Sequence, residues 1–147
     1  MDITLINEMR SFNRFYTAVI GVLNKKFLNS KYSLPESRVL QTINLQSGIT
    51  ASEIIVQLNM DKSYLSRIIL QFERKKLLVK KTSDKDGRVV HLYLTAYGKK
   101  EFAVQDKASH NQVKQLLERL QPKEQQKLIG CMQQIKDILS GPGMPAA

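Results

Sequence analysis

Two short polar segments of this chain carry side chains that can hydrogen-bond to a nucleic acid. The first is KSYLSRIILQFER, residues 62–74. On a helical wheel at about 100° per residue, its apolar residues fall in one narrow sector: Leu65, Ile68, Ile69 and Phe72. The opposite sector holds Ser63, Ser66, Arg67, Leu70 and Arg74, with Tyr64 and Gln71 at its edge. Hydroxyls and an arginine on one helix face are the groups that base edges and phosphates accept.

The side chains at the start of this helix have distinct chemistry. Arg67 can donate two hydrogen bonds to guanine O6 and N7, while Ser63 and Ser66 can serve bases or phosphates. Tyr64 can contact a thymine methyl or a phosphate, and Lys62 suits a phosphate. One alternative stays open: the face is simply solvated, because serines at a helix start are also good caps.

The second polar segment is the turn-rich run SDKDGR, residues 83–88. We expect Lys85 and Arg88 to project from a loop, and an arginine on such a loop suits a narrow minor groove. Asp86 would repel DNA if it acted alone. We therefore expect it to pair with Arg88 or a nearby arginine and so to orient it. Gly87 is available for positive φ in the turn.

The elements that position these segments begin with a helix-turn-helix. Thr50 and Glu53 have the spacing of a capping box, and Asp61 can cap the next helix. Asn59 and Met60 between them leave room only for a tight turn. Two helices that cross sharply in this way form a helix-turn-helix, whose second helix is offered to the major groove.

Strand-like runs at residues 77–82 and 89–94 flank the polar turn and predict a β-hairpin. Helical periodicity covers residues 3–30, and a second helix has Pro35 in its first turn and stops before Gly48. Its apolar residues are Val39, Leu40, Ile43 and Leu45. Thr95 caps a long helix to about Leu120, and Pro122 opens a last helix that ends near Leu139.

The apolar stripes of the terminal helices exceed what a winged-helix core needs. We therefore expect them to pack against a second copy, although a monomeric six-helix bundle is an alternative. The predicted fold is mostly α with a small β-hairpin wing, in one domain over residues 1–140. Its winged helix-turn-helix covers 35–100, its dimerisation helices 1–30 and 101–139, and residues 141–147 form a flexible tail.

Composition narrows the class of protein. The chain has 147 residues, 42% of them apolar, and a formal charge of +10. Residues 61–100 hold eleven lysines and arginines against four acids, which gives +7 of that charge and predicts a polyanion partner. The chain has one cysteine, Cys131, which we expect to be a packed and inert thiol. Its sequence has no secretory or membrane-spanning pattern. A single cysteine also excludes an intramolecular disulfide, so the expected location is the cytoplasm.

The sequence contains no catalytic constellation. His91 and His110 lack metal-ligand spacing, and no nucleophile elbow, phosphate loop or carboxylate pair occurs. We expect neither enzyme activity nor a cofactor nor a metal. The class that remains is a binding protein for double-stranded DNA; a winged-helix module that binds another protein is the alternative.

Two segments resemble MarR-family transcriptional regulators: the run DGRVVHLYLTAYG from Asp86 to Gly98 is similar to the family's wing, and TASEIIVQLNMDKSYLSRIILQFERKKLL to its helix-turn-helix. The resemblance implies a triangular homodimer. Its two recognition helices should lie about one helical turn apart, which predicts that it reads an inverted repeat, and we expect it to act as a repressor. The resemblance places Asp86 and Arg88 at wing positions. Ser63, Tyr64, Ser66 and Arg67 fall at the recognition-helix positions. One departure is Lys76, which stands near the family's glycine and would have to adopt its left-handed turn.

The same resemblance implies that a small aromatic ligand tunes DNA binding. We suspect Phe12, Arg14, Phe15 and Tyr16, since aromatic rings with one cation suit an aromatic acid, although these aromatics also have core spacing. A narrower resemblance, in FNRFYTAVIGVL, YSLPESRVL and MDKSYLSRII, is to proteins that fuse a MarR domain to a GNAT acetyltransferase. In that alternative, the chain is the DNA-binding half, and any enzyme activity belongs to the other half.

Overall fold

The computed structural model of the chain describes residues 2–21 and 31–141. They form six helices and a small antiparallel sheet, which confirms the mostly helical fold with a hairpin wing. In chain order the elements are α1 Ile3–Val19, α2 Leu34–Leu45, β1 Ile49–Thr50, α3 Ala51–Leu58, α4 Lys62–Arg74, β2 Leu78–Thr82, β3 Val90–Leu94, α5 Ala96–Leu117 and α6 Pro122–Leu139.

Side-chain caps set where the helices of the middle of the chain begin. Thr50 accepts from the Glu53 backbone N–H, and the Glu53 carboxylate accepts from the Thr50 backbone N–H at 2.8 Å, so the predicted capping box is present. Asp61 caps α4 by accepting from the Tyr64 N–H at 2.8 Å. A further capping box, Ser33 with Glu36, starts α2. Its Ser-x-x-Glu signal stands in the sequence, and the sequence analysis missed it.

The sheet has three strands in the order β1-β3-β2, one more than the sequence predicted. The strand β1 is only two residues long, and Ile49 pairs with Leu92 of β3. Gly48 makes this possible with a φ of 90°; its N–H donates to the Leu92 carbonyl at 2.9 Å. The His91 ring lies 2.7 Å from the Gly48 carbonyl through Nδ1, so Nδ1 is the donor there. These contacts join the base of the wing to the start of α3.

The hydrophobic core lies between α2, α3, α4 and the sheet. Phe72, Ile54, Leu40 and Leu92 are among its fully buried side chains. All fourteen side chains of this core cluster fall between Tyr32 and Leu94. Leu45 is 72% exposed, so its assignment to the apolar face of α2 was wrong: it is the last residue of the helix.

The terminal helices differ from the prediction at one end. The helix α1 ends at Val19, and Gly21 has a φ of 71°, so the predicted continuous helix to Ser30 is wrong at this point. Residues 22–30 of that prediction lie outside the described residues, as do 142–147 of the predicted tail. Neither α1 nor α6 contains a buried residue. Within residues 2–21 and 31–141, every helix is too short or too polar to cross a bilayer.

Candidate nucleic-acid interface

The helix α4 presents the predicted polar face to solvent. Leu65, Ile68, Ile69 and Phe72 are all buried, which fixes the rotation of the helix against the core. On the opposite side, Lys62, Ser63, Ser66 and Arg67 are exposed. The structure therefore brings these four candidates together on one surface, at the start of a capped helix. We call this surface, with Leu70 and Arg74, the reading face.

Tyr64 has a different position from its neighbours. Its ring is half-buried and packs against the core cluster, and the Arg67 guanidinium carbon lies 5.6 Å from the ring centroid. A cation over an aromatic face is attracted by the ring quadrupole. Tyr64 is thus placed to hold Arg67 in position, in addition to any contact of its own.

The wing tip is organised by hydrogen bonds from side chain to backbone. Asp86 accepts from the backbone N–H of Arg88 at 3.0 Å, and the Ser83 hydroxyl accepts from Lys85 N–H at 3.2 Å and Asp86 N–H at 3.4 Å. Ser83 N–H donates to the Val89 carbonyl at 2.8 Å and closes the loop. Asp86 therefore orients Arg88 through the backbone, whereas the sequence analysis expected an arginine side chain as its partner.

Two details of the tip correct the sequence reading. Among the described residues, positive φ occurs only at Gly21, Gly48, Asn59 and Lys76, so the positive φ expected at Gly87 is wrong. The Ser83 and Asp86 side chains make the turn without it. Ser83 was missed as a wing residue; its signal was a hydroxyl at the first position of the turn-rich run. Lys85, Asp86 and Arg88 are all exposed.

The wing is fastened to α5 by Thr95 and Gly98. The Thr95 hydroxyl donates to the Lys76 carbonyl at 2.7 Å and accepts from the Gly98 N–H at 2.9 Å. A Cβ atom at Gly98 would overlap the carbonyl oxygen of Leu77, so only glycine fits there. Lys76 has a φ of 58°, as predicted for a residue in the place of a glycine. These contacts hold three segments together: the end of α4, the first wing strand and the start of α5. We call this contact region the Thr95–Gly98 joint.

A second cluster ties α5 to the end of α4. Lys31 Nζ lies 2.7 Å from Glu101 Oε2, and the Tyr32 hydroxyl donates to the same oxygen at 3.0 Å. The hydrogen bond from Lys31 lowers the pKa of the Glu101 carboxyl, and burial raises the pKa of the Tyr32 phenol. The Tyr32 ring meets Phe72 edge to face at 6.0 Å. The buried side of α4 is therefore linked to the start of α5.

The lysines behind the reading face are partly engaged within the chain. Lys80 Nζ lies 2.8 Å from Glu73 Oε2, Lys81 Nζ lies 5.1 Å from the Tyr93 ring centroid, and Lys75 Nζ lies 5.7 Å from that of Tyr32. These contacts reduce their availability as phosphate ligands. The exposed cations Lys62, Arg67, Lys85 and Arg88 are the ones that face solvent at the helix start and the wing tip.

Three of the four residues suspected of binding a ligand lie on an apolar groove of about 800 Å³ between α1 and the α5–α6 end of the chain. Phe12, Phe15 and Tyr16 line it, and the rings of Phe12 and Tyr16 stack at 5.7 Å. Arg14 is not among the lining residues. Cys131 lines the same groove and is exposed, so the expectation of a packed thiol is wrong. No three metal-ligating side chains cluster within the described ranges.

Comparison with known proteins agrees with this geometry. Residues 31–89 match the MarR family. A putative transcriptional regulatory protein for the hcr operon of Thauera aromatica is 30% identical over 97 residues, which cover 66% of this chain and 58% of the relative. The chain thus spans less than two thirds of that relative's length.

Solved structures share the fold over most of the chain. Apo MarR from E. coli has a TM-score of 0.73 at 19% identity and covers 86% of this chain and 94% of its own. The PcaV regulator of Streptomyces coelicolor, in complex with its natural ligand, has a TM-score of 0.66 at 21% identity, covering 85% and 88%. Residues 31–89 are thus similar to the MarR family of transcriptional regulators, and the chain shares the winged-helix fold of E. coli MarR over most of its length.

Proposed function

We propose that the chain is a dimeric regulator that binds double-stranded DNA at an inverted repeat, and that it acts as a repressor. The observation that carries the proposal is the reading face: Ser63, Ser66 and Arg67 are exposed on a capped helix whose other side is locked into the core. The wing adds Arg88 on a closed loop. Residues 61–100 supply the positive charge that a phosphate backbone attracts.

Each predicted contact has a place in this proposal. Arg67, held over Tyr64, reads a guanine in the major groove, and Ser63 and Ser66 serve neighbouring bases or phosphates. Lys62 contacts a phosphate. Lys85 and Arg88 reach the minor groove, and Asp86 shapes the loop that carries them.

The terminal helices support a homodimer. Phe15 is 65% exposed on α1 and Ile138 is 74% exposed on α6, and the apolar groove lies between these helices. Exposed apolar surface of this extent is typical of an interface. A second copy that covers α1 and α6 would place two recognition helices about one helical turn apart, which corresponds to half-sites about 10 base pairs apart.

A small aromatic ligand is a further part of the proposal. Phe12, Phe15 and Tyr16 line a largely apolar groove with Lys127 and Lys136 at its border. PcaV, which shares the fold, was solved with its natural ligand. In this chain the cation for an aromatic acid would come from these lysines or, in the dimer, from Arg14.

Two alternative functions make different predictions for the DNA-binding experiments described below. A winged-helix module for protein binding would bind no DNA. A DNA-binding half of an acetyltransferase fusion would bind DNA and belong to a longer reading frame.

The first experiment selects binding sites from a random duplex library at about 150 mM salt, where weak phosphate binding is suppressed. We expect an enriched inverted repeat. Arg88→Ala should weaken or lose it, while Lys123→Ala, an exposed cation on α6, should leave it unchanged. Recovery of unrelated sequences by the unaltered chain would contradict the proposal.

Two substitutions separate base reading from phosphate binding. Arg67→Ala should relax selection at one position of each half-site, at a cost of about 1–3 kcal/mol there. Lys62→Ala should weaken all sequences alike and reduce the salt dependence of binding. If both variants weaken every sequence equally, Arg67 does not read a base.

Dimerisation is tested by sedimentation equilibrium. Phe15→Glu should shift the chain to monomer, because a charge would replace a ring in the proposed interface. Val56→Glu is the matched control: Val56 is 66% exposed, as Phe15 is 65% exposed, but it lies on α3. Equal effects of the two substitutions would argue against an interface at α1.

A further inference from the structure

Leu70 is an exposed leucine in the middle of the reading face. Its side chain is 44% exposed, although Leu65, Ile68, Ile69 and Phe72 of the same helix are buried. It lies three residues after Arg67 and four before Arg74, and neighbours at these spacings share one face of a helix. Leu70 therefore stands with the polar residues and does not belong to the core.

The surroundings of Leu70 are strongly cationic. It lines a shallow cleft together with Arg67, Gln71, Arg74 and Lys75. An apolar protein partner that covered this leucine would also bury three cations, which is costly without matching acids. A better partner for this cleft has negative charges that pair with the cations and an apolar group between those charges that contacts Leu70. Double-stranded DNA has both features.

Helix geometry would place Leu70 at the base edges if α4 lies across the major groove with Ser63 at one side. The rise along α4 from Ser63 to Leu70 is about 10 Å at 1.5 Å per residue, and the major groove is about 12 Å wide. Arg74 is a further 6 Å or so along the same face. In this orientation Leu70 would lie within the groove and Arg74 beside the phosphates at its edge.

The thymine C5-methyl is the apolar group that the major groove offers to such a side chain. We propose that Leu70 determines specificity by contacting the methyl of a thymine beside the base pair that Arg67 reads. This inference rests on the proposed function, because it assumes that α4 enters the major groove. It adds a residue and a base to the contacts already assigned, and it places Arg74 on a flanking phosphate.

The test uses the selected duplex with each thymine replaced, one position at a time in both half-sites, by deoxyuridine, which lacks only the methyl. We expect one position at which the wild-type chain loses affinity about fourfold per half-site, the equivalent of one buried carbon. Leu70→Ala should show no further loss at that position. Leu45→Ala, which removes another exposed leucine outside the reading face, should keep the full uracil penalty.

The inference is overturned if the selected half-site has no constant thymine beside the Arg67 position, or if Leu70→Ala keeps the uracil penalty of the wild type. Leu70→Ala should fold normally, since alanine favours a helix and the site is exposed; circular dichroism checks this. Failure of the wild-type chain to select any site would instead overturn the proposed function, and with it this contact. A selected site without uracil sensitivity overturns only the role of Leu70.

Discussion

The middle of the chain and its two ends use apolar side chains in opposite ways. Between Tyr32 and Leu94, fourteen apolar residues form one buried cluster, to which α2, α3, α4 and the sheet contribute. The helices α1 and α6 carry comparable stripes, yet none of their apolar side chains is buried, and the exposed large ones range from 37% at Ile6 to 74% at Ile138. Both regions obey helical periodicity, so periodicity alone does not distinguish them.

The comparison shows that an apolar stripe on a helix indicates a face that favours burial. The stripe does not indicate which surface that face packs against. In the middle of the chain the partner is the chain itself, because short turns bring the elements together. At the ends, the helices α1 and α6 lie apart from that core, and their stripes are not buried within the described residues. Substitutions of buried residues in the middle of the chain should therefore cost more stability than matched substitutions on α1 and α6.

The largest expected effect is the loss of a core ring. Phe72→Ala should lower the free energy of unfolding by about 3–5 kcal/mol, because Phe72 is fully buried and its removal leaves a cavity. Phe15→Ala removes the same atoms from α1 and should cost far less at low protein concentration, with a loss that grows as the protein is concentrated. Urea titrations at two concentrations measure both. Equal losses in dilute protein would mean that α1 packs as core.

Two glycines give the next contrast. Gly98→Ala should destabilise the chain by about 2 kcal/mol or more, because the new methyl would overlap the Leu77 carbonyl oxygen. Gly130→Ala on α6 should raise stability by up to about 1 kcal/mol, since no atom lies within 4 Å of its Cβ position and alanine is the better helix former. Thermal unfolding compares them. A destabilised Gly130 variant would show that another surface packs closely there.

A smaller effect is expected at Lys76, whose φ of 58° is unfavourable for a side chain. Lys76→Gly should stabilise by about 0.5–1 kcal/mol, the relief of left-handed strain less the entropy that glycine adds to the unfolded chain. Asn59→Gly, at a φ of 46°, should gain less because asparagine tolerates this region. Chemical denaturation of the two variants measures the difference; a larger gain at Asn59 would contradict the argument.

The smallest effect is a change in pH dependence at Glu101. Its carboxyl pKa is lowered from the usual 4.5 by the Lys31 hydrogen bond. A carboxyl whose pKa is lowered by folding stabilises the folded state at pH values above its usual pKa. This stabilisation is lost as the pH falls from the usual pKa through the lowered one. Glu101→Gln should therefore reduce the loss of stability that occurs as the pH falls below the usual carboxyl pKa of 4.5. Glu118→Gln is the matched control, because it removes a carboxylate of the same helix from an exposed pair with Lys114 that is 3.7 Å long.

The parts of the fold that could be predicted from sequence are those fixed by local contacts. Thr50, Glu53 and Asp61 cap helices through neighbours three residues away, and the burial of Leu65 and Phe72 follows from helical spacing. The candidate site was predictable for the same reason, because the reading face is the side of α4 opposite these buried residues. The left-handed conformation of Lys76 was also predictable, because the family that the sequence resembles has a glycine at this point.

What could not be predicted depends on contacts between distant segments. The strand β1 exists because Ile49 meets Leu92, 43 residues away along the chain, and a two-residue strand has no pattern of its own. Gly87 keeps a negative φ because Ser83 and Asp86 supply the turn. The exposure of Cys131 follows from where α6 lies relative to α1, which the spacing of apolar residues within α6 does not specify.

The Thr95–Gly98 joint makes α5 a lever. At 22 residues, this helix is about 33 Å long, so a rotation of about 10° at the joint would displace its far end by about 6 Å. Successive base pairs are about 3.4 Å apart, so that displacement spans almost two of them. In the proposed dimer, the fit of one glycine against one carbonyl would therefore set how strictly the protein measures the spacing of its two half-sites.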